Sequence, residues 1–438
     1  MVKARDGHLV PISVRYPVVL AGVTAAALLL AACSSSSSSP SSTSSSPSSS
    51  SSQSTSAAAS ALGTPQPATG SAVNVGMIID GGGGNTVGSA PLVQQGAVMA
   101  VAYANAYKGG LDGHKINMVF CQNQETPAGG QACANQLVQD KVVAVVLPFT
   151  GEGATEVPTI TKAGIPYITL SGASNQELMT PGSYALTGGY PATLGAYALS
   201  AKAHGYSKFA MLVSNVPAAI QGAELLGSLV FKNAGIGYKV IPVNSGTADV
   251  TPQLQAAVSW GAKAIGLTGD VTLCSSFLKG YQTLGLTEPK YVISTCLDPS
   301  IFSTLGSELG GSYVDTTSNA TAAENAQYAA ITQKFAPSVN GNPNASANQA
   351  AGLIPVLSLV DIMTGYTGAV TPAAVKAQLA LSTPRTVPLS GGITYVCNGK
   401  AIALLPSVCS AQSAVGVLSS AGAVSGLQQY NPSALFTA

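Results

Sequence analysis

Two short stretches carry polar groups in a pattern that could hold a small molecule. Thr150-Gly151-Glu152-Gly153 closes an apolar strand-like run and opens a helical one. Gly172-Ala173-Ser174 stands in the same relation to the next strand. The first turn of a helix has free N–H groups and the positive end of the dipole, which suit a carboxylate. The Thr150 and Ser174 hydroxyls add donors. Thr150 can equally be an ordinary N-cap. Further along, Asp270 and then Asp298 are the best partners for an ammonium group, which needs a paired carboxylate once desolvated. Asp270 can equally cap the helix that begins near Leu273.

Catalytic patterns are scarce. No GxSxG or HExxH occurs, and only His114 and His204 follow the leader; both read as surface residues. Ser276 and Lys279 form a lone SxxK, within a helical stretch and without its usual companion motifs. Trp260 reads as core, and Tyr103 and Tyr107, four apart on a helix, suit packing as well as a site. The stretch Val73 to Thr86 ends in Asp80 and four glycines. It fits neither GxGxxG nor a Walker loop, so no nucleotide and no cofactor is expected. Glycine there lets a backbone come close to a ligand or bend clear of one.

The elements that must position these groups alternate. Strands are expected at Val73–Ile79, Lys115–Phe120, Val142–Leu147, Pro166–Leu170, Phe209–Val213, Tyr238–Val243, Ala264–Thr268 and Lys290–Ile293, with helices between them. That order predicts an α/β fold of mainly parallel sheets flanked by helices. After Ser294 helices dominate from Ala322 to Leu381, and Ile393–Tyr395 with Ile402–Leu405 read as a hairpin around Asn398-Gly399. The chain also echoes itself. Val142 to Ser174 and Lys263 to Asp298 share an order of elements, with Thr150-Gly151-Glu152 matching Thr268-Gly269-Asp270. Two similar lobes are expected, each binding at the carboxyl ends of its strands.

The N-terminus bears on location. Lys3, Arg5 and Arg15 precede an uncharged run from Pro17 to Ala32 that reads as a signal peptide. Leu30-Ala31-Ala32-Cys33 resembles a bacterial lipobox. By that resemblance Cys33 carries lipid (palmitate among its acyl chains) and holds the chain on the extracytoplasmic face of the cell membrane. From Ser34 to Ser60, 19 of 27 residues are serine. Such a stretch cannot bury enough apolar surface to order itself, so residues 33–71 are expected to form a disordered tether with a reach of about 35 Å. Without Lys3, Arg5, Arg15 and Asp6, 15 basic residues stand against 16 acidic ones. No basic face is implied, so nucleic acid is not an expected partner. Cys121, Cys133, Cys274, Cys296, Cys397 and Cys409 remain, an even count in an exported chain. Fifteen pairings are possible, and nearest neighbours are favoured. No couple has metal-ligand spacing, so no metal is expected.

Leu92 to Val146 and GIPYITLSGASNQEL, Gly164 to Leu178, resemble the leucine/isoleucine/valine-type solute-binding proteins. The likeness runs over most of Ala72 to about Leu418 and weakens after Leu297. It implies the type I periplasmic binding fold, with two lobes joined by three crossovers. Lobe 1 is expected at 72–189 plus about 314–390, and lobe 2 at 190–313 plus about 391–438. It also implies capture of an amino acid or related solute, delivery to ABC permease subunits, and a monomer that is not an enzyme. Thr150 then matches the ligand-carboxylate position, and Gly172 and Ser174 match the next loop's grip on carboxylate and ammonium. In lobe 2, Gln221 before Gly222 takes a place often held by tyrosine. Another tyrosine position falls near Asp270, and the acidic one falls near Cys296–Asp298. The sequence departs from the pattern in its DGGGG loop and the extra Ser171, so the fold carries over better than the amino-acid ligand. A sensor for a signalling partner, an envelope hydrolase and a structural lipoprotein are the alternatives.

Overall fold

The computed structural model describes residues 60–81, 89–244, 246–316, 320–336 and 347–437, all in one compact unit of the chain. The leader, Cys33, the tether through residue 59 and Gly82 to Gly84 lie outside the described residues.

The first lobe alternates strand and helix. β1 (Gly70–Ile79) is followed by α1 (Ser89–Tyr107), β2 (His114–Gln122), α2 (Pro127–Gln139), β3 (Val145–Leu147) and α3 (Gly153–Lys162). β4 (Tyr167–Thr169), the short α4 (Asn175–Met179) and β5 (Ser183–Ala185) complete it. All five strands are parallel, in the order β2-β1-β3-β4-β5. Their runs of Val, Ile and Met are covered by helices on both faces, which is why they do not alternate with polar residues.

The second lobe repeats the plan. α5 (Gly189–Ala203) leads into β6 (Lys208–Ser214), α6 (Pro217–Gln221), a π-helical turn Gly222–Gly227, α7 (Ser228–Ala234) and β7 (Gly237–Val243). Then come α8 (Thr251–Ser259), β8 (Ala264–Thr268), α9 (Val271–Leu284), β9 (Lys290–Val292), α10 (Pro299–Leu309) and β10 (Tyr313–Asp315). The parallel part of this sheet runs β7-β6-β8-β9-β10, the same order as the first. The echo between β3 and β8 is therefore a true correspondence of position.

The chain then returns to lobe 1 with α11 (Ala322–Phe335), α12 (Ala347–Met363) and α13 (Pro372–Leu379), whose apolar residues join the first lobe's core. α12 is buried on nearly every face, as its apolar composition requires. It crosses α1 through two glycines. A Cβ at Gly96 would lie 1.8 Å from the Gln349 carbonyl oxygen, and one at Gly352 would lie 1.8 Å from that of Val93.

Three expectations need correction. β11 (Arg385–Thr386) pairs antiparallel with β12 (Thr394–Tyr395), and Ile402–Leu405 forms no strand. The hairpin turns at residues 387–393, earlier than Asn398-Gly399, and the loop after it is closed by the Cys397–Cys409 disulfide. Residues 60–71 do not belong to a free tether. Leu62 and Ala68 are buried against α1, and the Gln66 and Ala68 amides donate to the Ala106 and Asn105 carbonyls. A few apolar side chains at the end of a serine-rich stretch suffice to dock it. The expected lobe limits also shift: β10 lies in the second sheet, while Ile393, Tyr395 and Cys409 pack in the first lobe's core. β13 (Ser413–Leu418) and β14 (Val424–Tyr430) then add an antiparallel edge to the second sheet. The chain therefore passes between the lobes at residues 186–188, after Thr316 and at 410–412.

Cysteines pair as Cys121–Cys133, Cys274–Cys296 and Cys397–Cys409. Among the described residues no helix is long and apolar enough to cross a membrane.

Alanine normally stabilises a helix relative to glycine. At Gly352 the sign should reverse, because the new methyl meets a backbone carbonyl. Gly352→Ala is expected to cost about 3 kcal/mol, read as a lowered midpoint in calorimetry. An unchanged or raised midpoint contradicts the glycine crossing.

Candidate functional site

The carboxyl ends of β1, β2 and β3 meet at the point where the strand order reverses, the usual binding place of an open α/β sheet. Asp80 follows β1, Asn123 follows β2, and Thr150 and Gly151 follow β3. Asp80 is held there by three donors. Thr150 Oγ1 and Asn123 Nδ2 both reach its Oδ1, at 2.9 and 2.5 Å, and the Gly151 amide reaches Oδ2 at 2.9 Å.

Behind Asp80 lies Glu156, fully buried on α3. Its Oε1 stands 3.0 Å from Thr150 Oγ1 and 3.1 Å from Asn123 Nδ2, and its Oε2 accepts from the Tyr167 hydroxyl at 3.0 Å. Tyr167 Oη is also 3.4 Å from Glu177 Oε1. Glu177 Oε2 takes the amides of Ala173 and Ser174 and the Ser174 hydroxyl, at 3.0, 2.9 and 2.8 Å. Ser174 and Glu177 form a capping box around the start of α4.

Among the described residues no cation pairs with these acids. Burial raises the Glu156 carboxyl to about 8, against the Asn123 hydrogen bond and with the Asp80 and Glu177 charges. Burial also raises Asp80, against hydrogen bonds from Asn123, Gly151 and Thr150. It raises Glu177, against the Ser174 and Ala173 donors. Half-exposed Glu152 rises through burial and then through the Asp80 and Glu125 charges. With its carboxyl raised to about 8, Glu156 keeps its proton at neutral pH. Its O–H then donates to Thr150, and Thr150 donates to Asp80.

The expected grip residues are thus at the sheet tips, with their donors already in use. Thr150 and Ser174 are buried, at 0% and 2% exposure. The Gly151 amide serves Asp80, and the Ala173 and Ser174 donors serve Glu177. Glu152, and not Thr150, stands at the N-cap of α3. Gly172 approaches the first crossover: its carbonyl accepts from the Tyr190 amide at 3.3 Å, and a Cβ on Gly189 would meet its oxygen at 2.5 Å.

On the second lobe, Gln221 is exposed and Gly222 opens the π-helical turn. Such turns recur at functional sites. Gly222 lies against the Tyr190 ring, and its Cβ position is 4.0 Å from the Ala173 carbonyl oxygen. Here the two rims approach each other. Asp270 caps α9 through the Leu273 amide at 2.7 Å, and Asp298 caps α10 through the Ser300 amide at 2.9 Å. Both stand at the carboxyl ends of second-lobe strands. Among the described residues no hydrogen bond joins either to the first-lobe rim. The Cys274–Cys296 disulfide braces this rim by tying α9 to the turn after β9.

Asp80, Asn123, Glu156 and Tyr167 were not expected as site residues. Only Glu177 had a legible signal, the Ser-x-x-Glu spacing from Ser174. A partly open cavity of about 210 Å³ lies elsewhere, in lobe 1 among α1, α11 and α12. Ser276 is buried and donates to the Thr247 carbonyl at 2.9 Å, whereas Lys279 is exposed, so the SxxK spacing builds no nucleophile. Among the described residues no group of His, Cys, Asp and Glu could hold a metal ion.

A family model described as periplasmic binding protein matches residues 72–401. The chain belongs to the periplasmic binding protein family. Its two repeated lobes are the type I fold of that family, and it is a solute-binding protein. A leucine-binding protein from Thermotoga maritima is 17% identical with a TM-score of 0.66, covering 81% of this chain and 98% of its own. A branched-chain amino acid transporter substrate-binding protein from Streptococcus pneumoniae, solved with isoleucine, is 19% identical with a TM-score of 0.62, covering 82% and 100%. A fatty acid ABC transporter substrate-binding protein from Thermomonospora curvata is 14% identical with a TM-score of 0.67, covering 84% and 95%. At these identities the likeness is one of fold. No curated protein matches the chain.

Because the folded state holds the Glu156 proton and the unfolded chain releases it, stability falls as pH rises from the ordinary glutamate range to about 8. Glu156→Gln should flatten that fall, raising the midpoint at pH 8 relative to wild type more than at pH 5. Calorimetry at both values checks it; parallel pH profiles would contradict it.

Proposed function

We propose that the protein is an extracytoplasmic solute-binding lipoprotein that holds a small polar solute between its lobes and delivers it to the permease of an ABC importer. Lipid on Cys33 anchors it to the membrane, the serine-rich stretch gives it reach, and it works as a monomer. The solute stabilises the closed arrangement by touching both rims at once, and no bond is made or broken. The leucine-binding, isoleucine-bound and fatty acid transporter proteins of similar fold support solute capture and import as the activity.

One observation carries the reading of ligand chemistry. Asp80 and Glu177 occupy the amide and hydroxyl donors of Thr150, Gly151, Ala173 and Ser174. The first-lobe rim therefore offers acceptors, on Asp80, Glu152 and Glu125, more than free donors. A solute that brings ammonium or hydroxyl donors fits this rim better than one that presents a carboxylate to it. Gln221, Asp270 and Asp298 are the proposed contacts from the other side.

Thermal-shift screening of the chain without residues 1–33 tests this, with amines, polyols, isoleucine and 4-hydroxybenzoate as probes. Amines or polyols should raise the midpoint by mass action, and Asp80→Asn should weaken that binding about tenfold. A shift from the carboxylates alone, unaffected by Asp80→Asn, overturns the ligand reading. Anchoring is tested separately. Cys33→Ser should move the full-length protein from the membrane fraction to the soluble fraction of the envelope; retention in the membrane contradicts the anchor.

A further inference from the structure

A further buried acid has its hydrogen-bond partners outside the rim network. Asp315 ends β10, where the chain leaves lobe 2 for the second crossover. Its Oδ2 accepts from Thr193 Oγ1 at 2.5 Å, and its Oδ1 accepts from the Ser413 hydroxyl. Thr193 sits one turn into α5, just after the first crossover. Ser413 begins β13, just after the third. One carboxylate thus joins the three places where the crossovers meet the second lobe.

The crossovers are also packed together. A Cβ at Gly188 would lie 3.1 Å from the Ser410 carbonyl oxygen, so the first runs against the third. The Ala185 amide donates to Ser407, and the Cys409 amide donates to Ala185. The first crossover continues to the rim, since Tyr190 donates to Gly172.

Thr193 has a second acceptor available. Its Oγ1 is 3.2 Å from the carbonyl oxygen of Gly189, the first residue of α5, directly after the first crossover. A hydroxyl has a single hydrogen, so it serves Asp315 or Gly189. With Asp315 ionised, the hydrogen goes to the carboxylate. With a proton on Oδ2, that oxygen becomes the donor, Thr193 Oγ1 accepts from it, and the Thr193 hydrogen turns to Gly189.

We propose that Asp315 is the positioning residue of the hinge, setting through Thr193 and Ser413 how the crossovers join lobe 2, and that its protonation transfers the Thr193 hydrogen bond to the Gly189 carbonyl, directly after the first crossover. The inference rests on the proposed closing of two lobes on a solute and adds a pH response to it. Burial raises the Asp315 carboxyl to about 6, opposed by the Ser413 and Thr193 donors. The titratable groups around it are phenols. Tyr197 of α5 accepts from the Asp315 amide at 3.2 Å, and Tyr190 and Tyr291 stand beyond Tyr197. Tyr430 of β14 pairs with Ser413 across the ladder. Tyr190, Tyr197 and Tyr291 are all pushed upward by burial, so they stay neutral while Asp315 titrates.

Hydrogen exchange on the ligand-free full chain tests this, read at peptides covering residues 186–193 and corrected for intrinsic exchange. Wild-type protection should step by roughly tenfold, with a midpoint near pH 6. Asp315→Asn and Thr193→Val should each abolish the step, and Asp315→Glu should keep one. If Asp315→Asn does not fold, Thr193→Val decides between the outcomes, because its fold leaves the carboxylate and Ser413 in place. A flat wild-type profile, or a step that survives in Thr193→Val, overturns the proposal. No solute is used, so a failed solute screen beside an intact step would count against solute capture and leave the hinge standing.

Discussion

Few charges have to be accommodated in this protein, and those that are buried are stabilised by neutral donors. Only 8% of residues are charged. Among the described residues a single ion pair forms, Lys290 with Glu308 at 2.6 Å. Asp80, Glu156, Glu177 and Asp315 are instead met by amides, hydroxyls and phenols. A buried carboxylate without a partner costs several kcal/mol, so each must find such donors or keep its proton. That constraint fixes the loops that hold them. Thr150, Asn123 and Gly151 converge because Asp80 requires them, and α4 begins where it does because Glu177 closes on Ser174.

The same constraint links the rim to the hinge. At the rim, the acids use up donors at sheet tips that would otherwise be free for a ligand. At the hinge, one acid on the segment that leaves the second lobe uses two hydroxyls from the segments that enter it. Between them runs the first crossover, and directly after it Gly189 lies close to Gly172 with φ of +56°, a conformation glycine adopts without strain. A contact at the sheet edge and a contact at the lobe base therefore share one short piece of chain.

Packing supplies the rigidity that this arrangement needs. The two sheets repeat one strand order, and the glycine crossing of α1 and α12 brings the returning segment onto the first lobe at backbone distance. Disulfides brace the second-lobe rim and the loop before the third crossover. Under the proposed capture of a solute between the lobes, motion falls to the three crossovers.

Local patterns in the sequence determined the elements. Eight apolar runs became β1 to β4 and β6 to β9, because a strand covered on both faces must be continuously apolar. The Thr-Gly-acid echo marked equivalent positions, and the family resemblance gave the two-lobed fold. Cysteine neighbours pair because each couple is close in sequence and falls on adjoining elements. Tertiary structure decided where donors go. Nothing local shows that Asp80 will meet Thr150, or that Asp315 will meet Thr193 and Ser413, 122 and 98 residues away. Those partners are chosen by chain segments brought together only when the lobes assemble. Polar groups satisfied across such distances leave no period and no motif in the sequence, whereas helices and strands do.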